Sequence, residues 1–109
     1  MANKIFLSEQ ALDYLNRLME VLYENHYFSD WENARNYIAE LYDDIEKYIH
    51  IKNPQIPDYR RKCYGEHTKY VTFQKNKHTT YIVFFEQKDD RYFIEYIGNN
   101  HTDGHYIYQ

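Results

Sequence analysis

Near its C-terminus the chain carries His101, Asp103, His105 and Tyr106 within a few residues. On an extended chain His101, Asp103 and His105 share one face, and two imidazoles with a carboxylate can ligate a metal. Gly104 and the preceding Asn99-Asn100 pair argue against a regular strand there, and no second cluster of ligands accompanies the first. Acid/base chemistry fits these residues better. A histidine with a pKa of about 6.5 can take the proton of a ribose 2′-hydroxyl or supply one to the leaving oxygen. A nearby cation would stabilise the charge that builds on the phosphate. The third reading is a surface tail whose Tyr106 and Tyr108 pack on a sheet.

Cations for such a reaction are concentrated in the middle of the chain. Residues 58–78 hold Arg60, Arg61, Lys62, Lys69, Lys75 and Lys77 against Asp58 and Glu66, while both flanking segments are net acidic. Arginine grips phosphate through paired hydrogen bonds and lysine acts as a point charge. Tyr59, Tyr64 and Tyr70 lie within the band and could stack on bases. A solvated linker, or a patch that answers an acidic protein partner, accounts for the same residues. The net charge of −4 over 109 residues disfavours broad non-specific nucleic-acid binding, so any anion site must be local.

A chain of 109 residues suits one domain, 1–109, with one core. No apolar run reaches the roughly 18–20 residues that span a bilayer, and the N-terminus lacks the apolar stretch of a signal peptide. The lone Cys63 has no intramolecular disulfide partner. These features lead us to expect a cytoplasmic protein without a membrane partner. The 14 tyrosines suit a small sheet with a thin core, since the ring packs while the hydroxyl stays wet.

The elements that must position these groups follow from periodicity. Lys4–Leu7 is a short apolar run, and Ser8 is placed to cap a helix. Ala11, Leu15, Leu18 and Leu22 form its apolar stripe, widened by Leu12 and Met19. Ser29-x-x-Glu32 has the form of a capping box and opens a second helix with the stripe Ala34, Ile38, Leu41, Ile45 and Ile49. Phe28 and Trp31 at this hairpin are read as packing groups. Pro54 and Pro57 end the helical part. Strands are expected at Lys69–Gln74, Thr79–Glu86 and Arg91–Ile97, with turns at Lys75–His78 and Gln87–Asp90. The run TTYIVFFE is apolar on both faces, so it is expected in the middle of the sheet. One of its faces would lie on the helices, the other under the tail or a partner. The result is an α+β domain of order β-α-α-β-β-β, a helical hairpin on an antiparallel sheet.

This order, with IFLSEQALDYLNRL, WENARNYIAELYDDIEKYI, the Pro54–Pro57 link and YVTFQKNKHTTYIVFFEQKDDRYFIEYIGNNH, resembles the RelE/ParE toxins of bacterial type II toxin–antitoxin systems. Ala11 and Ala34 match the alanines early in the two family helices, and Ile82-Val83-Phe84-Phe85 matches the aromatic-rich strand. The resemblance covers roughly residues 4–105. It implies one of two activities. RelE-type members are metal-independent endoribonucleases that cut mRNA on the ribosome, and ParE-type members inhibit DNA gyrase without enzymatic chemistry. A degenerate member would only bind antitoxin. In every case the implied partner is a cognate antitoxin. Neither metal nor other cofactor is expected. For the ribonuclease, the resemblance assigns phosphate or RNA binding to Arg60, Arg61, Lys62, Lys69 and Lys77, and proton transfer to His101, His105 or Tyr106. Thr79 or Thr80 stands where the family usually has an arginine, the nearest cations being Lys77 and His78.

Overall fold

The computed structural model describes residues 4–25, 30–56 and 67–100. Six elements follow in order: β1 (Lys4–Leu7), α1 (Glu9–Glu24), α2 (Trp31–Tyr48), β2 (Lys69–Asn76), β3 (Thr79–Lys88) and β4 (Arg91–Asn99). Four strands form one sheet in the order β1-β4-β3-β2. The three C-terminal strands make the expected antiparallel meander. β1 pairs parallel with β4, so the sheet is mixed and β4 becomes an interior strand beside β3.

Ser8 caps α1 as expected. Its hydroxyl accepts from the Ala11 N–H at 3.0 Å, satisfying one of the free donors of the first turn. The cap of α2 is Asp30 rather than Ser29, which lies outside the described residues. The Asp30 carboxylate accepts from the Asn33 N–H at 2.8 Å. Aspartate caps as well as serine does, and its charge also suits the positive end of the helix dipole. The prolines do not stop α2. It ends at Tyr48, six residues before Pro54, where the Tyr48 carbonyl accepts from both Ile51 and Lys52 N–H groups in a tightened turn. Trp31 packs its ring edge-on against Tyr23 of α1 at 5.3 Å, as the packing reading requires; Phe28 lies outside the described residues.

Both helices lay their stripes on one sheet face. Ala11, Leu15, Leu41, Ile45 and Ile49 close over Val71, Phe73, Tyr81, Val83, Phe85, Tyr92, Ile94 and Ile97, all buried. The other face has a smaller cluster of Tyr70, Ile82 and Phe84, with Tyr96 against it. Ile82 and Phe84 are fully buried, so β3 is covered on both sides as its composition demands. The tail expected to cover that outer face lies outside the described residues.

The hairpin turns are shorter than the polar runs suggested. β2 continues to Asn76 and β3 to Lys88, leaving only Lys77-His78 and Asp89-Asp90 as turns. Asp89 takes a left-handed conformation (φ 58°), which Asp tolerates better than most residues. Beyond α2, Gln55 exchanges backbone hydrogen bonds with Tyr70 and so covers part of the free edge of β2.

Candidate functional site

Alternation along β4 breaks at one place. Tyr92 and Ile94 point to the helices, but so does Ile97, three residues on. A β-bulge between Phe84 and Phe85 of the partner strand explains the change: Phe85 pairs with Ile94 and Phe84 with Tyr96, so Glu95 is the extra residue. Glu95 and Tyr96 are thereby both turned from the helix-facing core. Tyr96 packs against Phe84 (5.8 Å) and, beyond the end of β1, meets Tyr14 of α1 (6.5 Å). The bulge is tied to the first helix as well, because the Ser8 hydroxyl donates to the Glu95 carbonyl at 2.6 Å.

The Glu95 side chain finds two polar neighbours on the outer face. Thr68, itself buried, donates to its carboxylate at 2.9 Å. Glu86 of β3 bonds to it carboxyl to carboxyl. Burial and the Glu86 carboxyl lift the Glu95 pKa to about 7, against a smaller opposing pull from the Thr68 hydroxyl. Glu95 therefore keeps its proton close to neutrality, the condition that suits a general acid or base. An open cleft of about 420 Å³ begins beside Thr68, lined also by Ile56, His67, Lys69 and Gln87.

Folding raises the Glu95 pKa from 4.5, so the folded protein keeps a proton that the unfolded chain releases between pH 4.5 and about 7. Stability from this group is full below pH 4.5 and is lost as pH rises through about 7. Glu95→Gln is expected to flatten that dependence. Discounted for partial exposure, the gain is about 1 kcal/mol at about pH 8, read from urea midpoints across the pH range.

Of the residues assigned by sequence, Lys69 and Lys77 are described. Lys69 opens β2 on the rim of the cleft, and Lys77 sits in the turn after its last residue. A strand of this length separates them by roughly 25 Å, so they cannot hold one phosphate together. Lys75, counted in the same band, is engaged on the helix side: its ammonium lies 3.2 Å from the Glu40 carboxylate and 5.1 Å from the centre of the Tyr37 ring. Arg60, Arg61, Lys62, His101, His105 and Tyr106 lie outside the described residues. The last described residue, Asn100, is clamped at the Lys77 end of the sheet. Its side chain accepts from the Thr80 N–H at 2.9 Å and donates to the His78 carbonyl at 3.1 Å. Thr80, which with Thr79 is one of the two positions where the resemblance implies an arginine, gives its backbone N–H to this clamp.

Sequence reading missed Thr68, Glu86 and Glu95. The available signal was the spacing Tyr92, Ile94, Ile97, which a regular strand cannot bury on one face. Among the described residues no group of three metal-ligating side chains occurs, and no helix is long and apolar enough to cross a membrane.

The two-helix hairpin on a mixed four-stranded sheet, with a parallel N-terminal edge strand, is consistent with the RelE/ParE-like fold that the sequence resemblance implies. The chain is similar in structure to a chain of the chromosomal ParDE TA system from P. aeruginosa, with a TM-score of 0.55 and 10% identity, over 87% of this chain and 92% of that one. At that identity the likeness establishes the fold. No protein-family model and no curated protein matches the sequence.

Proposed function

We propose that this protein is the toxin component of a bacterial type II toxin–antitoxin system, acting as a metal-independent endoribonuclease on ribosome-bound mRNA. The observation that carries the toxin reading is the shared fold with a chain of a ParDE system over most of both lengths. An antitoxin segment would find an apolar trough of about 420 Å³ along the hairpin, lined by Leu7, Leu12, Leu15, Met19, Ile38 and Tyr42 among others. For the ribonuclease, Arg60, Arg61, Lys62, Lys69 and Lys77 supply phosphate contacts, and His101, His105 or Tyr106 transfers protons. In this reading Lys69 and Lys77, at opposite ends of β2, serve different phosphates of an extended RNA.

The second reading is a ParE-like gyrase inhibitor. Two points favour it: the structural neighbour comes from a ParDE system, and Thr79 or Thr80 stands where the resemblance implies an arginine.

Induced expression in bacterial cells separates the two. The ribonuclease gives growth arrest with cleaved mRNA, and His101→Ala with His105→Ala lowers cleavage by roughly 10²–10⁴-fold, the usual effect of losing a general acid or base. Arrest with intact mRNA identifies the gyrase inhibitor or another target. Absence of arrest overturns both and leaves an antitoxin-binding module.

A further inference from the structure

The sheet register assembles a surface that no stretch of sequence contains. Lys4 of β1 pairs with Arg91 of β4, and Arg91 pairs with Lys88 of β3. Three cations from three strands therefore lie side by side in one row, about 10 Å long at ordinary strand spacing. Their face follows from alternation. Ile5, Leu7 and Tyr92 belong to the helix-facing core, so Lys4, Phe6, Arg91 and Phe93 lie on the opposite face. Lys88 shares that face with Ile82 and Phe84 through even spacing along β3.

The next outward-facing row holds Phe6, Phe93 and Glu86. The two phenyl rings stack with centroids 5.3 Å apart and planes 17° from parallel. Both stay open to solvent, Phe6 at 47% and Phe93 at 37%. Aromatic groups left this exposed on an otherwise packed sheet contribute little to the core, and they lie next to the row of cations.

Among the described residues no acid forms an ion pair with this row. The acids close to it are Asp89 and Asp90 in the turn, and Glu86 in the aromatic row. Among the described residues the ion pair found joins Lys75 and Glu40, elsewhere in the fold. Asp90 meets β1 through its backbone, its carbonyl accepting the Lys4 N–H at 3.1 Å. Glu86 is engaged with Glu95.

We propose that this strip binds single-stranded nucleic acid, with phosphates along Lys4, Arg91 and Lys88 and a base stacked on the Phe6–Phe93 platform. A cationic track beside exposed rings is what sequence-independent single-strand binding requires, because every base has a π-face and every nucleotide a phosphate. A second copy of this chain on the same patch would bring like cationic rows together, so charge complementarity favours the polyanion. The strip lies at the sheet end opposite Asn100 and Lys77. It does not depend on the ribonuclease reading, since it binds whether or not the strand is cut.

The test is fluorescence anisotropy of the full chain with a labelled oligoadenylate of about 12 nucleotides, at several salt concentrations. The expected result is binding that weakens with salt with a log–log slope of about −2, the value for three contacts to a single strand. Lys4→Gln, Lys88→Gln and Arg91→Gln together should flatten that slope. Phe6→Ala with Phe93→Ala should weaken binding roughly 5- to 100-fold, and Phe93→Trp should retain it. Circular dichroism and urea midpoints confirm that each variant is folded. Failure of the folded wild type to bind at low salt overturns the proposal. So does binding that survives both sets of substitutions, or a Phe6-dependent dimer that forms without binding the oligonucleotide. Growth arrest with mRNA cleavage in the absence of strip binding would leave the ribonuclease standing and remove only the strip.

Discussion

Phe84→Ala is expected to lower the free energy of unfolding by about 3–5 kcal/mol, a large part of the roughly 5–15 kcal/mol that holds such a domain together. Phe84 lies on the sheet face away from the helices, where an ordinary antiparallel sheet meets water. Here it is fully buried, with Tyr70 and Tyr96 rings each 5.8 Å away. Removing its ring leaves a cavity between two neighbours that are themselves held by strand pairing. Phe93 offers the internal comparison. It occupies the same face but is 37% exposed, and Phe93→Ala should cost only about 1 kcal/mol. Urea denaturation measures both, as a shift of midpoint at constant slope. Equal costs would mean that the outer cluster is not a second core.

Ser8→Ala is expected to cost about 2 kcal/mol through two separate losses. The Ala11 N–H at the start of α1 loses its cap, worth about 1 kcal/mol. The Glu95 carbonyl at the bulge loses the donor that sits 2.6 Å away, worth about as much. The backbone bond from the Ser8 N–H to the Ile94 carbonyl remains, at 2.8 Å, so the strand–helix corner weakens without dissolving. Ser8→Thr keeps the hydroxyl and should recover most of the loss. Hydrogen exchange offers a sharper readout than global stability. In the alanine variant, amides of β1 and the first turn of α1 should exchange faster, while those of β2 stay protected. Uniform acceleration would show that Ser8 acts on the whole fold and not on this corner.

Local signals read the helices well. The stripe Ala11, Leu15 and the stripe Ala34, Leu41, Ile45, Ile49 are buried as spacing demands, because helical periodicity is carried by residues three and four apart. The cap of α2 slipped by one residue because Ser29 and Asp30 are both good caps and only the backbone path chooses between them. The turns were drawn too long because polar residues such as Gln87 and Lys88 are as common on an exposed strand face as in a loop. The candidate site was less legible. Lys69 and Lys77 belong to one basic band in sequence, yet β2 carries them to opposite ends of the sheet.

The sequence by itself determined the order of elements, the Ser8 cap, the double burial of TTYIVFFE and the α+β class. Each is set by the types of neighbouring residues and their period. Tertiary structure alone decided the parallel pairing of β1 with β4, the bulge that joins Glu95 to Glu86 and Thr68, and the alignment of Lys4, Arg91 and Lys88 beside Phe6 and Phe93. These depend on strand order and register between segments up to 87 positions apart. A register shift of one residue would turn the whole row to the other face, and no local pattern in a single segment carries that information.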